Sequence, residues 1–282
     1  MKTKLYIKTA FVALVSMASL SSCLKDDKHY VDFASAVPLV ELPSATGVGA
    51  KGGLFQALAL DISSTPIPIN LQVNLAAPKT LSSALTVKLA VDPAALAAYN
   101  TANSTTYEIL PAAVYSSTFT ATIPANQNSA NFVINIKSNL IDASSTNFVL
   151  PLTIVDGGGQ QISNFKTVLY NVQVKNQYDG TYTATGTRIH PTLGPFPFSY
   201  DVAMGTAGAT SISGSALADL KTDIKITVAL DNSVTVTSVS QPSTANVPGT
   251  VNKYDPATKT FTLNYFYNAA APRIISETLK RK

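Results

Sequence analysis

Apolar and polar residues alternate strictly along most of the chain, and this period of two is typical of half-buried β-strands. The run from Ile67 through Ile69 and Leu71 to Leu75 shows the pattern most clearly. In the first half we predict strands at residues 67–75, 85–91, 119–123, 132–136, 148–154 and 168–174. Short strands separated by turn signals favour a β-sandwich or a β-barrel.

A second set of alternating runs follows a polar, turn-prone segment that begins at Asn176 and ends at Gly180. Within this set, Asp231 and Asn232 are expected to form the turn of a β-hairpin. The predicted strands are residues 182–186, 196–202, 224–230, 234–236 and 261–267. We therefore predict two all-β domains, covering residues 30–176 and 178–282.

Two helices are expected to interrupt the strands. Asp92 is a good N-cap and Pro93 suits the first helical position, so a helix is predicted over residues 94–99, ended by Asn100. A second short helix is predicted over residues 215–223. Gly157, Gly158 and Gly159 are expected to form a hairpin loop, because no helix and no Lys-Ser/Thr pair follows them, as a phosphate-binding loop requires.

The N-terminus has the pattern of a secretory signal. Basic residues at Lys2, Lys4 and Lys8 precede an apolar run at residues 10–20, which is too short to span a bilayer of ~30 Å as a helix. The only cysteine, Cys23, follows directly. We assign residues 1–22 to the signal peptide and leave open that Cys23 is incidental to an ordinary secretion signal.

The sequence Leu20-Ser21-Ser22-Cys23 resembles a bacterial lipobox. The resemblance implies that Cys23 is acylated and becomes the mature N-terminus, with residues 23–29 as a tether and the lipid of the outer membrane as its partner. Two or more acyl chains hold a protein stably on a membrane, since each buried methylene contributes ~0.8 kcal/mol. Lys25-Asp26-Asp27 is similar to the export signal of Bacteroidetes lipoproteins, which implies a location on the outer face; the alternative is a tether without an address.

Composition excludes several classes of function. The chain has 20 Lys and Arg against 16 Asp and Glu, and removing the three lysines of the signal leaves 17 against 16. The chain after the signal is therefore nearly neutral, so nucleic acid is not an expected partner. With Cys23 acylated, no thiol remains for a disulfide, a zinc site or a cysteine nucleophile.

Several motifs, in a fixed order, resemble the N-terminal domain of unknown function found in many Bacteroidetes surface lipoproteins. They are Asp92-Pro93 with Tyr99-Asn100, Tyr107-Glu108-Ile109-Leu110-Pro111, Phe148-Val149-Leu150-Pro151-Leu152 and Tyr170-Asn171-Val172-Gln173-Val174. The resemblance covers residues 30–176 and implies an immunoglobulin-like β-sandwich ahead of a small C-terminal β-domain. Tyr178 to Tyr182 is similar to the first strand of calycin-like barrels. The expected fold is all-β, an immunoglobulin-like sandwich followed by a smaller antiparallel sandwich or calycin-like barrel.

Catalytic chemistry is not predicted. The two histidines, His29 and His190, do not have metal-ligand spacing, and neither a nucleophile elbow nor a P-loop is present. Asp219 and Asp223 would share one face of the second predicted helix, where a solvated surface is expected. We predict no cofactor and no metal, although a distant carboxylate pair of a glycosidase cannot be found from sequence.

Sugar binding requires an aromatic surface beside hydrogen-bonding groups, and with Trp absent this role falls to Tyr or Phe. Phe266 lies on the polar face of its strand together with Asn264, and Arg188 and His190 share a face of another strand. These four residues are the candidate ligand contacts, all in the C-terminal domain. The alternatives are that Phe266 covers an inter-domain contact and that His190 ends a strand.

These observations favour a non-catalytic cell-surface lipoprotein that binds glycans or assists a glycan-uptake complex. A structural or adhesive surface protein, such as a stalk or a pilus-like component, is the main alternative. A small hydrolase is the third.

Overall fold

The computed structural model of the chain describes residues 33–46 and 53–282. The predicted signal peptide, Cys23, the tether and His29 lie outside these residues. Within them the chain forms twenty strands and one α-helix, which confirms the all-β fold with two β-domains. No helix among the described residues has the length and apolar content needed to cross a lipid bilayer.

The first eleven strands build a β-sandwich, called the sandwich below. Each strand predicted in this half overlaps one that is present. The strands are β1 Leu39–Glu41, β2 Phe55–Asp61, β3 Ile67–Ala76, β4 Leu85–Val91, β5 Glu108–Ile109, β6 Tyr115–Ser116, β7 Thr120–Ile123, β8 Ser129–Ile136, β9 Phe148–Asp156, β10 Gln161–Ile162 and β11 Thr167–Lys175.

Two sheets of the sandwich enclose one apolar core. One sheet has the order β10-β1-β3-β8-β6, and the other has the order β2-β11-β9-β4-β7 with β5 beside β9. Val40, Val73, Val87, Leu152 and Val172 are completely buried between them. β2 runs parallel to β11, whereas most neighbouring pairs are antiparallel, so β2 and β11 end side by side at the same edge.

The α-helix, α1, spans Pro93–Asn103, one turn longer than predicted. Its start is as expected, since Asp92 Oδ1 accepts a hydrogen bond from the Ala95 N–H at 3.1 Å. The prediction that Asn100 ends the helix is wrong. Ser104, in the left-handed conformation, is the C-cap, and the Asn100 side chain instead donates to the Tyr107 carbonyl and organises the loop that follows.

The glycine run between β9 and β10 forms a loop, but the prediction of a hairpin is wrong. β9 and β10 belong to different sheets, so the loop crosses from one sheet to the other. Gly158 has φ +64°, and a Cβ there would lie 2.4 Å from the Thr86 carbonyl oxygen. Glycine is therefore required by a close backbone approach rather than by a two-residue turn.

The remaining nine strands form an antiparallel, nearly closed barrel, called the barrel below. Their order is β16-β15-β14-β13-β12-β20-β19-β17, with β18 also beside β19. The strands are β12 Gly180–His190, β13 Gly194–Gly208, β14 Ser211–Leu217, β15 Thr222–Val228, β16 Val234–Thr237, β17 Ala245–Asn246, β18 Lys253–Asp255, β19 Thr260–Tyr267 and β20 Arg273–Arg281.

The side chain of Asn246, on β17, hydrogen-bonds to the backbone of β16 and so bridges the two strands at the ends of the barrel sheet. The Val236 N–H donates to Asn246 Oδ1 at 3.1 Å, and Asn246 Nδ2 donates to the Val234 carbonyl at 2.7 Å. The Val234 N–H donates to the Asn252 carbonyl at 3.1 Å. These bonds satisfy backbone groups that a neighbouring strand would otherwise pair. The alternative of a calycin-like barrel therefore describes this domain better than a second sandwich.

The predicted helix over residues 215–223 is wrong. This segment contains the end of β14, a 3-10 turn at Ala218–Leu220 and the start of β15. Ala218 and Lys221 both have positive φ, which ends the turn before an α-helix can form. Leu230 is also misassigned, because β15 ends at Val228 and the Leu230 side chain is fully exposed in the hairpin turn.

Asn176 fixes the connection between sandwich and barrel. Its side chain is 5% exposed. Asn176 Nδ2 donates to the carbonyls of Gly208 and Ser211, and Oδ1 accepts the N–H groups of Tyr178 and Asp179, at 2.7–3.1 Å. The two sets of sheets share no strand, yet the connecting segment is firmly bonded to the barrel.

Candidate functional site

The four residues predicted to contact a ligand lie on opposite faces of the barrel wall. β20 pairs with both β12 and β19, so the register of the three strands fixes their faces. Arg188 is aligned with the buried Ile275, whereas Phe266 is aligned with the exposed Ile274. Arg188 and His190 therefore point inward and Phe266 and Asn264 outward, and the four do not form one site.

An apolar row and a polar row lie side by side on the outer wall of the barrel. We call this surface the Phe266 face; its apolar row is Ile189, Ile274 and Phe266, and its polar row is Thr187, Ser276 and Asn264. Ile189 is 49% exposed and Ile274 41%, and Phe266 is half-buried beside them. The Ser276 hydroxyl donates to Asn264 Oδ1 at 3.1 Å. The surface combines apolar side chains with hydroxyl and amide groups.

The Arg188 side chain points into the barrel and forms an ion pair there. It is 6% exposed, and its guanidinium donates to both carboxylate oxygens of Asp219, at 2.5 and 2.6 Å. The same guanidinium lies 4.4 Å from the centre of the Phe196 ring. The bond from Arg188 lowers the pKa of Asp219. Because Asp219 belongs to the Ala218–Leu220 turn, the ion pair ties this turn to β12. The Arg188 guanidinium is therefore not available to a ligand.

Asp219 and Asp223 do not share a solvated helix face, because that helix is absent. Asp223 lies on β15, and its carboxylate accepts the N–H groups of Val239 and Ser240 at 2.7 and 3.0 Å. Hydrogen bonds from Ser240 and Val239 lower its pKa. Each carboxylate therefore has a structural role.

His190 closes the turn between β12 and β13. Its Nδ1 accepts hydrogen bonds from the N–H groups of Thr192 and Leu193, both at 3.3 Å, and Arg273 Nη2 lies 3.1 Å from Nε2. Desolvation and the charge of Arg273 lower the pKa of His190. A neutral ring with its proton on Nε2 lets Nδ1 accept the two backbone N–H groups.

Glu277 is a buried carboxyl group that sequence reasoning missed. It is 3% exposed inside the barrel, where Tyr265 Oη donates to Oε2 at 2.8 Å and Oε1 has no hydrogen-bond partner. Burial raises its pKa to about 8. The sequence contained a signal for this burial. Glu277 alternates in phase with Ile275 and Leu279, so it occupies an inward position of its strand.

A cleft between the sandwich and the barrel was also missed. It has a volume of about 620 Å³ and is called the junction cleft below. Its lining includes Asp61, Lys175, Asp179, Tyr254, Lys259 and Arg281. These residues come from the ends of β2 and β11, the connecting segment, the β18–β19 hairpin and the end of β20. No local sequence pattern brings them together.

The described part of the chain contains no group of three or more His, Cys, Asp or Glu side chains placed to hold a metal ion. Asp219 and Asp223 are held by structural hydrogen bonds, and Glu277 is enclosed in the barrel with only its Oε2 bonded.

Two family models match consecutive parts of the chain. One, described as an N-terminal domain, covers residues 54–161, and the other, described as a C-terminal domain, covers residues 166–280. The second match includes β11, although β11 hydrogen-bonds within the sandwich. The expected order of an N-terminal domain and a small C-terminal β-domain is confirmed to this extent.

Solved structures from Bacteroides ovatus share this fold. A protein of unknown function aligns with a TM-score of 0.60 at 15% identity, over 87% of this chain and 95% of that one. A multidomain protein including DUF1735 aligns with a TM-score of 0.54 at 16% identity, over 86% and 92%. Another protein of unknown function aligns with a TM-score of 0.54 at 13% identity, over 89% and 92%. No curated protein matches the chain.

Proposed function

We propose that this protein is a non-catalytic, saccharide-binding lipoprotein of the outer membrane, accessory to glycan uptake. The observation that supports it is the Phe266 face, where an exposed apolar row lies beside a row of hydroxyl and amide groups. Ligand sites in proteins characteristically combine apolar contact area with a few placed polar groups.

A sugar ring needs both kinds of contact. The C–H groups of a pyranose pack against an apolar surface, while its hydroxyl groups require donors and acceptors. Neighbouring strands lie about 4.8 Å apart, so Phe266 and Ile274 form a continuous apolar surface, and Asn264 and Ser276 lie directly next to it. This geometry also supports the expectation that the C-terminal domain carries the ligand contact.

A hydrolase is a weaker proposal. Glycosidases place two carboxyl groups across the scissile bond, in reach of the substrate. Glu277 is enclosed in the barrel core, and Asp219 and Asp223 hold turns in place. The described residues therefore offer no carboxylate pair on the Phe266 face.

The location rests on the lipobox at Cys23 and on the Lys25-Asp26-Asp27 segment after it. Many anchored copies acting on one polymer tolerate weak binding at each site. We expect affinities in the micromolar to millimolar range, about 4–8 kcal/mol. Calorimetric titration of oligosaccharides into the protein and into the Phe266→Ala variant tests the proposal.

A further inference from the structure

The junction cleft is a second candidate site, on a different part of the barrel from the Phe266 face. It lies where β2 and β11 end in the sandwich and where β12 begins and β20 ends in the barrel. Its volume of about 620 Å³ is in the range of small-ligand sites, which often form between domains. Residues of both domains line it.

The walls of the cleft are held in place by hydrogen bonds. Arg281 Nη1 donates to the Gln177 carbonyl at 2.8 Å, and Nη2 donates to the Asp179 carbonyl at 2.6 Å. Asp179 Oδ2 accepts the N–H and the hydroxyl of Thr206 at 2.7 and 2.9 Å. Together with the bonds of Asn176, these contacts form the cleft before any ligand arrives.

Cationic groups outnumber carboxylates in the cleft. Lys175, Lys259 and Arg281 face Asp61 and Asp179. In the described part of the chain, the ammonium groups of Lys175 and Lys259 have neither a hydrogen bond nor an ion pair. Asp61 is the register partner of Lys175, yet the two do not form an ion pair.

We infer that the junction cleft binds an anionic sugar, one that carries a carboxylate or a sulfate group. Such a group would pair with the free ammonium groups of Lys175 and Lys259. The sugar hydroxyls would form hydrogen bonds with the Asp61 carboxylate and the Tyr254 hydroxyl, which line the cleft. A neutral sugar would leave the cationic excess uncompensated. Binding would also link the two domains, because Lys175 belongs to the sandwich and Lys259 to the barrel.

Calorimetric titration of the chain from residue 25 onward tests this inference at low salt. The probes are trigalacturonate, its neutral methyl ester, galactose 6-sulfate and inorganic sulfate. We expect at least one anionic sugar to bind and the methyl ester to bind much more weakly. The Lys175→Ala and Lys259→Ala variants should each lose about tenfold in affinity or more, as expected for a charge-assisted hydrogen bond.

A control variant shows whether a loss of affinity is specific to the junction cleft. Lys225→Ala removes the same charge from an exposed position of β15 and should change affinity less than about twofold. The inference fails if no anionic sugar binds at about 10 mM, a concentration that detects even very weak sites. It also fails if inorganic sulfate binds as tightly as the sugars, or if Lys225→Ala weakens binding as much as Lys259→Ala.

Discussion

Tyr265 donates a hydrogen bond to Glu277 inside the barrel, at 2.8 Å, and the second carboxyl oxygen of Glu277 has no partner. A buried, half-satisfied carboxyl group is costly to ionise. Its protonation state should therefore control the stability of the barrel.

Glu277 should make the protein less stable as pH rises. Its folded-state pKa is about 8, against an ordinary value of 4.5. Above pH 4.5 the unfolded chain loses this proton while the folded chain keeps it, so the free energy of unfolding falls until about pH 8 and then levels off. The slope is at most about 1.4 kcal/mol per pH unit.

Urea unfolding at several pH values measures this effect. In Glu277→Gln the side chain cannot ionise, and the fall between pH 5 and pH 8 should largely disappear relative to the parent protein. Glu108→Gln, at an exposed position, is the matched control, and its free energy of unfolding should fall between pH 5 and pH 8 as in the parent protein. Parallel pH profiles for the parent and Glu277→Gln would contradict the assignment.

The buried ion pair of the barrel should matter far more than an exposed one. Asp219→Ala leaves the Arg188 cation buried without its counter-charge, so we expect a loss of about 3–5 kcal/mol in the free energy of unfolding. Asp201→Ala breaks the exposed pair with Lys282 and should cost less than about 1 kcal/mol. Equal losses in the two variants would show that Arg188 finds another partner.

Asn176 should be essential to the fixed junction. Asn176→Ala removes two side-chain hydrogen bonds to carbonyls of the barrel and two within the connecting segment, and we expect a loss of about 2–4 kcal/mol and faster proteolysis near residue 177. Asn131→Ala, at an exposed position of β8, is the control. Unchanged stability and cleavage in Asn176→Ala would mean that the connection is held by other contacts.

Acylation at Cys23 should determine where the protein is found. Cys23→Ala should move the protein from the membrane to the soluble fraction and abolish labelling by a fatty-acid analogue, because the anchor is lost. Retention of the variant in the membrane would refute lipid anchoring.

The proposed export signal, Lys25-Asp26-Asp27 after Cys23, is tested separately. Replacing Asp26 and Asp27 with Ala should leave the protein membrane-bound but inaccessible to protease added to intact cells. Unchanged accessibility would show that these residues carry no export signal.

Side-chain alternation is a local property, so the sequence was sufficient for most of the long strands and for the face of Phe266, but β2 and β20 were not predicted. The sequence was not sufficient for strand neighbours, so the row formed by Ile189, Ile274 and Phe266 across three strands was not foreseen. Arg188 and Asp219 lie 31 residues apart, and their pairing depends on the register of the barrel. The helix expected at residues 215–223 failed because positive φ angles at Ala218 and Lys221 cannot be read from side-chain pattern.

The central claim is that the Phe266 face binds saccharide. Its most direct test is calorimetric titration of a panel of neutral oligosaccharides into the chain from residue 25 onward, with Phe266→Ala and Asn264→Ala as test variants. Phe165→Ala is the matched control, since it removes an exposed ring from the sandwich. We predict weak binding by the parent and by Phe165→Ala, reduced about tenfold in each test variant. Absence of binding by the folded parent, or equal binding by all four proteins, would contradict the claim.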